Sequence, residues 1–182
     1  MIGIMRESVR RIKEHVEEIL EPLRPRVRTR CAVVLHDSVD QILKLLRRAG
    51  RLRRMKIEVT GDEHVVVHAD KDEVHQIALN LISNAIDALG DGGGGDRGSV
   101  TIELTHEGEY GVLRVSDDGS GISEELRGRV FEPFFTTKGS AGTGLGLPVV
   151  HDIARSLQGR VVLDCPEAGG TIVTVHMPRY RG

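Results

Sequence analysis

Four short stretches of this 182-residue chain hold side chains whose types and spacing could do chemistry. Asn80 and Asn84 stand four residues apart in a segment, Asp70 to Leu89, whose apolar members Val74, Ile77, Ala78, Leu81, Ile82, Ala85 and Leu89 repeat at helical spacing. Glu73, Gln76, Asn80, Asn84 and Asp87 follow the same steps of three and four on another face. Asparagine is disfavoured inside a helix by roughly several tenths of a kcal/mol against alanine, so two on one stripe call for a reason. A carboxamide oxygen is a neutral, hard ligand that suits a Mg2+ keeping most of its waters or phosphate oxygens. Two merely solvated asparagines are the plain alternative.

The second stretch is Asp117-Asp118-Gly119-Ser120-Gly121, directly after a β run. Its glycines let the backbone turn sharply and let a planar ligand approach. A carboxylate at the strand end can accept from an exocyclic amine such as adenine N6, although Asp-Gly turns are also common as plain turns. The third is Phe131-Glu132-Pro133-Phe134-Phe135-Thr136-Thr137-Lys138, which holds all three phenylalanines of the chain. It reads either as a plug that pins a loop to the core or as a movable lid with Lys138 aimed at phosphates. The fourth, Gly142-Thr143-Gly144-Leu145-Gly146-Leu147, opens a helix. Free amides and the positive end of the helix dipole make such a start an anion site. No Gly-Lys-Ser/Thr follows, so it is not a P-loop. A lid rather than a strand precedes it, which argues against a dinucleotide fingerprint.

The elements that must position these residues are legible in outline. A helix carrying Val39, Ile42, Leu43, Leu46 and Ala49 is expected to begin at a cap on Asp37 or Ser38 and to end near Gly50. Strands are expected at 56–59, 65–68, 100–105, 111–116, 160–164 and 171–177, and helices at 70–89 and 145–157. Four consecutive glycines lie in the turn between 90 and 99, and residues 117–144 read as one long functional loop. In front of this α/β body, Ile2, Met5, Val9, Ile12, Val16, Ile19 and Leu23 step by three and four, a heptad pattern. Pro22 and Pro25 end that helix, and residues 1–28 form an arm and basic connector ahead of a domain at 29–182.

Charge divides the chain in the same way. Residues 1–56 hold 15 Lys and Arg against 7 Asp and Glu, while residues 57–182 hold 10 against 20. The basic charges at the front fill the gaps of an apolar pattern, as on a solvated helix. Aromatics are 3% and tryptophan is absent, so no nucleic-acid partner is expected. No apolar run approaches the roughly 18–20 residues of a bilayer crossing, so no membrane contact is expected from this segment. Two cysteines, Cys31 and Cys165, make neither a disulfide framework nor a cysteine-rich zinc site and fit a reducing, cytoplasmic setting.

In this order and spacing, the four stretches resemble the ATP-binding catalytic domain of bacterial sensor histidine kinases, within the wider GHKL ATPase superfamily. Asn80-Leu81-Ile82-Ser83-Asn84-Ala85 is similar to the N box, Asp117 to Gly121 to the G1 box, Phe131 to Phe135 with Thr136-Thr137-Lys138 to the F box, and Gly142 to Leu147 to the G2 box. Gly169-Gly170-Thr171 looks like the closing glycine turn of the family. The resemblance implies a two-layer α/β sandwich of the Bergerat type, a mixed sheet with helices on one face, plus the N-terminal heptad helix. It implies ATP and Mg2+, with Asp117 reading adenine, Asn84 assisted by Asn80 holding Mg2+, and Lys138 with the Gly142–Gly146 amides on the phosphates. Asp87, Gly119, Gly121, Ile122, Phe131, Thr136, Thr137, Thr143, Gly144, Leu145, Leu147 and Thr171 complete the implied ATP site.

Hydrolytic members of the superfamily carry Glu where this chain has Asn80. An amide is no general base near neutral pH, so the resemblance implies transfer to a protein histidine rather than to water. A serine kinase of the anti-sigma type and a non-catalytic nucleotide-dependent module are the alternatives. The phosphoacceptor histidine of the family is followed by an acid, with proline five places on. His36-Asp37 and His151-Asp152 have the acid, but Gln41 and Ser156 occupy the proline positions, and His15 precedes Val16. The arm resembles the second helix of the dimerisation and phosphotransfer hairpin. The implied partners are a histidine-bearing dimerisation domain, a second copy in a homodimer, and a response regulator receiver domain. His64 and His68 could share a strand face, but no third metal ligand accompanies them.

Overall fold

Alternation of apolar and polar residues builds the larger of two sheets. The computed structural model describes residues 29–52, 55–90, 98–137, 142–167 and 169–181. The heptad arm, its His15 and Lys138 lie outside the described residues. In chain order the elements are β1 (Cys31–Val34), α1 (Leu35–Arg48), β2 (Lys56–Gly61), β3 (Val66–Ala69), α2 (Lys71–Leu89), β4 (Ser99–Glu107), β5 (Tyr110–Asp117), α3 (Glu124–Arg127), α4 (Gly146–Ser156), β6 (Arg160–Asp164) and β7 (Thr171–Pro178). The five-stranded sheet runs β2-β4-β5-β7-β6. β2 is parallel to β4, and every other pairing in it is antiparallel, so the sheet is mixed.

Val100, Ile102 and Leu104 of β4, Leu113 and Val115 of β5, and Val173, Val175 and Met177 of β7 point to one buried face. Against it lies α2, whose Val74, Ile77, Ala78, Leu81, Ile82 and Ala85 are buried as their spacing predicts. Ile77 and Ile82 are fully buried, so truncating either to alanine costs about 2–5 kcal/mol. α1 packs on α2 from one side and α4 from the other, with α4 also resting on β6 and β7. The partly buried opposite face is polar, and Arg114 bridges Glu103 and Glu107 there. This is the two-layer mixed α/β architecture expected.

Several local readings change. β1 was not foreseen in Cys31–Val34; it pairs antiparallel with β3 as a separate two-stranded sheet. α1 then follows without a loop, starting at Leu35 rather than at a cap on Asp37 or Ser38. A distant carbonyl does the work of that cap, because the Leu35 amide donates to Val65 O at 2.9 Å. At α2 the cap is Asp70, its side chain accepting from the Asp72 amide at 2.9 Å. The segment read as one loop contains the short helix α3. His64 stands outside β3, and no group of three metal-ligating side chains occurs among the described residues.

Candidate functional site

The polar side of α2 is the base of the site. Asn80, Asn84 and Gln76 are half-buried on it, whereas Glu73, expected on the same stripe, is buried. The Asn84 carboxamide faces the first residue of α4. A β-carbon at Gly146 would lie 3.2 Å from Asn84 Nδ2 and 3.5 Å from Oδ1. The first and fourth motifs are therefore one place. No side chain caps α4, so its first-turn amides are left for another acceptor. Pro148 in that turn has no amide to leave unsatisfied. Thr143 Oγ1 accepts from the Leu145 amide at 3.3 Å and shapes the approach to the helix. Leu145 and Leu147 are half-buried, with Leu147 packed on the core.

The second motif closes on the far end of α2. Asp117 ends β5, and its Oδ1 accepts from the Gly119 amide at 2.9 Å. A β-carbon at Gly119 would fall 2.7 Å from the Ala88 carbonyl oxygen, so the turn and the helix touch through backbone. Asp118 has a structural task, its Oδ1 accepting from the Ser99 amide at 2.8 Å. Gly170 donates to Gly119 O at 2.9 Å, and Thr171, buried, stands opposite Asp117 in the β5–β7 register. Ile122 is half-buried, and its carbonyl accepts from Arg127 Nε at 3.3 Å.

The three phenylalanines differ in their surroundings. Phe131 sits on the His151 ring of α4, with centroids 5.5 Å apart. Phe135 lies under the Arg129 guanidinium at 4.4 Å, and Arg129 also pairs with Glu132. Phe134 instead is 67% exposed and has a φ of 68°. That conformation costs a bulky residue about 1–2 kcal/mol. Gly144 sets it: Phe134 N–H donates to Gly144 O at 3.0 Å, and a β-carbon at Gly144 would collide with the Phe134 backbone at 2.4 Å. The third and fourth motifs are thus held together by backbone contact. Thr136 is half-buried and Thr137 exposed; Lys138 falls outside the described residues.

Asp87 lies one turn beyond Asn84 and is ion-paired with Arg51, a residue that motif reading overlooked. Its only signal in the sequence is its place directly after Gly50 at a helix end. Among the histidines, His75 is half-buried on α2. Burial holds its pKa below the ordinary 6.5, and Lys71 pushes the same way against Asp72. His36 and His151 are partly exposed.

Residues 69–181 match the family described as histidine kinase-, DNA gyrase B-, and HSP90-like ATPase. The chain belongs to this ATPase family. Among its relatives, the sensor histidine kinase ZraS of Salmonella typhi is 33% identical over 96% of this chain and 37% of the relative. Sporulation kinase D of Bacillus subtilis is 29% identical over 97% of the chain and 34% of its own length. The chain thus spans little more than a third of the length of these relatives. The catalytic domain of histidine kinase ThkA superposes with a TM-score of 0.72 at 27% identity, covering 83% of this chain and 96% of that one. ThkA in complex with response regulator protein TrrA aligns with a TM-score of 0.78 at 25% identity, over 98% of this chain and 50% of ThkA. Within the family, the fold is that of histidine kinase catalytic domains, and the relatives favour this branch over the serine kinases. Membership implies use of ATP. Among the described residues no helix is long and apolar enough to cross a membrane.

Proposed function

We propose that this chain is the ATP-binding catalytic part of a two-component sensor histidine kinase, and that it passes the γ-phosphoryl group of ATP to a histidine on a dimerisation hairpin. The observation that carries the reading is the contact of Asn84 with Gly146, which joins the amide stripe of α2 to the uncapped start of α4. A polyphosphate laid there would meet backbone amides and the helix dipole together. The Asn84 carboxamide oxygen is a neutral, hard ligand, and Asn84 assisted by Asn80 would hold Mg2+. That ion would supply charge neutralisation of the phosphates. Lys138 and the Gly142–Gly146 amides would add donors to the same oxygens, while Asp117 would accept from the adenine amine.

Asn80 bears on the fate of the phosphoryl group. Its amide takes no proton from water near neutral pH, so hydrolysis is not promoted. No histidine of the chain has the acid-and-proline context of an acceptor. The natural partners under this reading are a histidine hairpin, to which residues 1–28 would contribute a helix, and a response regulator receiver domain. A homodimer and a cytoplasmic setting complete it. The ThkA complex with a response regulator supports the receiver partner.

The test mixes the chain with labelled ATP and a candidate hairpin domain. Acid-labile label on the hairpin is the expected result. Acid-stable label would identify a serine kinase, and ATP binding without transfer to any hairpin would identify a non-catalytic module. Without a hairpin the chain should label weakly, and strong alkali-stable label on His15 or His36 would place the acceptor within it.

A further inference from the structure

The ion pair of Arg51 with Asp87 joins two elements that the catalytic motifs do not link. Arg51 follows α1 and lies outside the matched residues 69–181. Asp87 stands on α2 between the contacts that define the site: Asn84, one turn earlier, faces Gly146, and Ala88, the next residue, touches Gly119. A carboxylate at that point borders the space where a polyanion would lie, and by itself it would repel one.

We infer that Arg51, rather than Asp87, is the group that meets the nucleotide, as a phosphate-binding cation delivered from the α1–β2 connection. This rests on the ATP-binding reading above. The geometry supplies three reasons. The pair cancels the charge of Asp87 and sets a guanidinium at the same point. Its backbone seat is fixed, because Gly50 N–H donates to Arg47 O and Arg51 N–H to Leu46 O, both at 3.0 Å, which closes α1 in a Schellman turn. A guanidinium also has five donors in a planar fork, so one that grips Asp87 through Nη2 can offer others to phosphate oxygens. A purely stabilising role explains little, since the two side chains are 45% and 38% exposed and such pairs add little to stability.

The experiment is calorimetry on the 182-residue chain with Mg-ATP and with adenosine, which shares the base and sugar but has no phosphate. Thermal melts accompany each variant. Arg51→Ala should weaken Mg-ATP by about tenfold or more, as for a lost charge-assisted bond, with adenosine affinity unchanged. Arg51→Lys should recover part of the loss. Asp87→Asn, which releases the guanidinium, should bind Mg-ATP at least as tightly as the native chain. Unchanged Mg-ATP affinity in Arg51→Ala would overturn the inference and leave the ATP reading intact. Equal losses for ATP and adenosine, with a lower melting temperature, would make the pair a structural staple and would also overturn it. Failure of the native chain to bind ATP would overturn both readings.

Discussion

The Asn84 carboxamide and Gly146 are in contact across two helices, with room for no more than the glycine hydrogen between them. An added β-carbon would lie 3.2 Å from Asn84 Nδ2. Gly146→Ala therefore sets local stability against function. Alanine restricts the unfolded chain more than glycine does, by about 0.4–1 kcal/mol, whereas the methyl group pushes the amide off its position. The melting temperature should stay level or rise while Mg-ATP affinity falls about tenfold, the scale of one hydrogen bond to a charged group. Paired melts and calorimetry read both. Native Mg-ATP affinity in this variant would remove Asn84 from the metal and phosphate site.

Asp117→Asn tests the opposite end of α2. An asparagine oxygen can still accept from the Gly119 amide, so the turn and the fold should survive. The charge-assisted bond to adenine is lost, worth about 1.5–3 kcal/mol. ATP affinity should drop by the matching ten- to hundredfold, as measured by titration on a variant with a native circular dichroism spectrum. Undiminished binding would show that Asp117 only builds the turn.

Phe134 is exposed and strained at the same time, so its ring is not retained for packing. Phe134→Gly relieves a positive φ worth about 1–2 kcal/mol and loses part of that gain to backbone entropy. A melting temperature equal to or above the native one is expected. A fall of several degrees would mean that the ring contributes burial after all.

Acid should weaken the open face of the sheet. His176 Nε2 donates to Glu107 Oε2 at 2.9 Å, and this bond is the main cause holding the Glu107 pKa below its ordinary 4.5, with the His176 and Arg114 charges adding to it. The folded protein thus binds this proton less readily than the unfolded chain. The contribution of the carboxylate is complete above pH 4.5 and vanishes as pH falls through the lower folded value. Glu107→Gln should therefore melt below the native protein near pH 7 and converge with it in acid. A gap independent of pH would show that charge is not what the pair contributes.

Periodicity and local chemistry made much of this molecule legible in its sequence. The apolar face of α2, the strands that alternate and the four motifs all depend on residues within a turn or a strand of one another, and such patterns survive in one dimension. The motif set also marked the family. Contacts between distant segments were decided only by the tertiary structure, because their free energy is spread over partners far apart in the chain. Leu35 starts α1 since Val65, thirty residues on, offers a carbonyl. Phe134 takes a positive φ where its amide bonds the carbonyl of Gly144, ten residues on. Arg51 bears on the site only because α1 ends beside α2, and no spacing in the sequence connects it to Asp87.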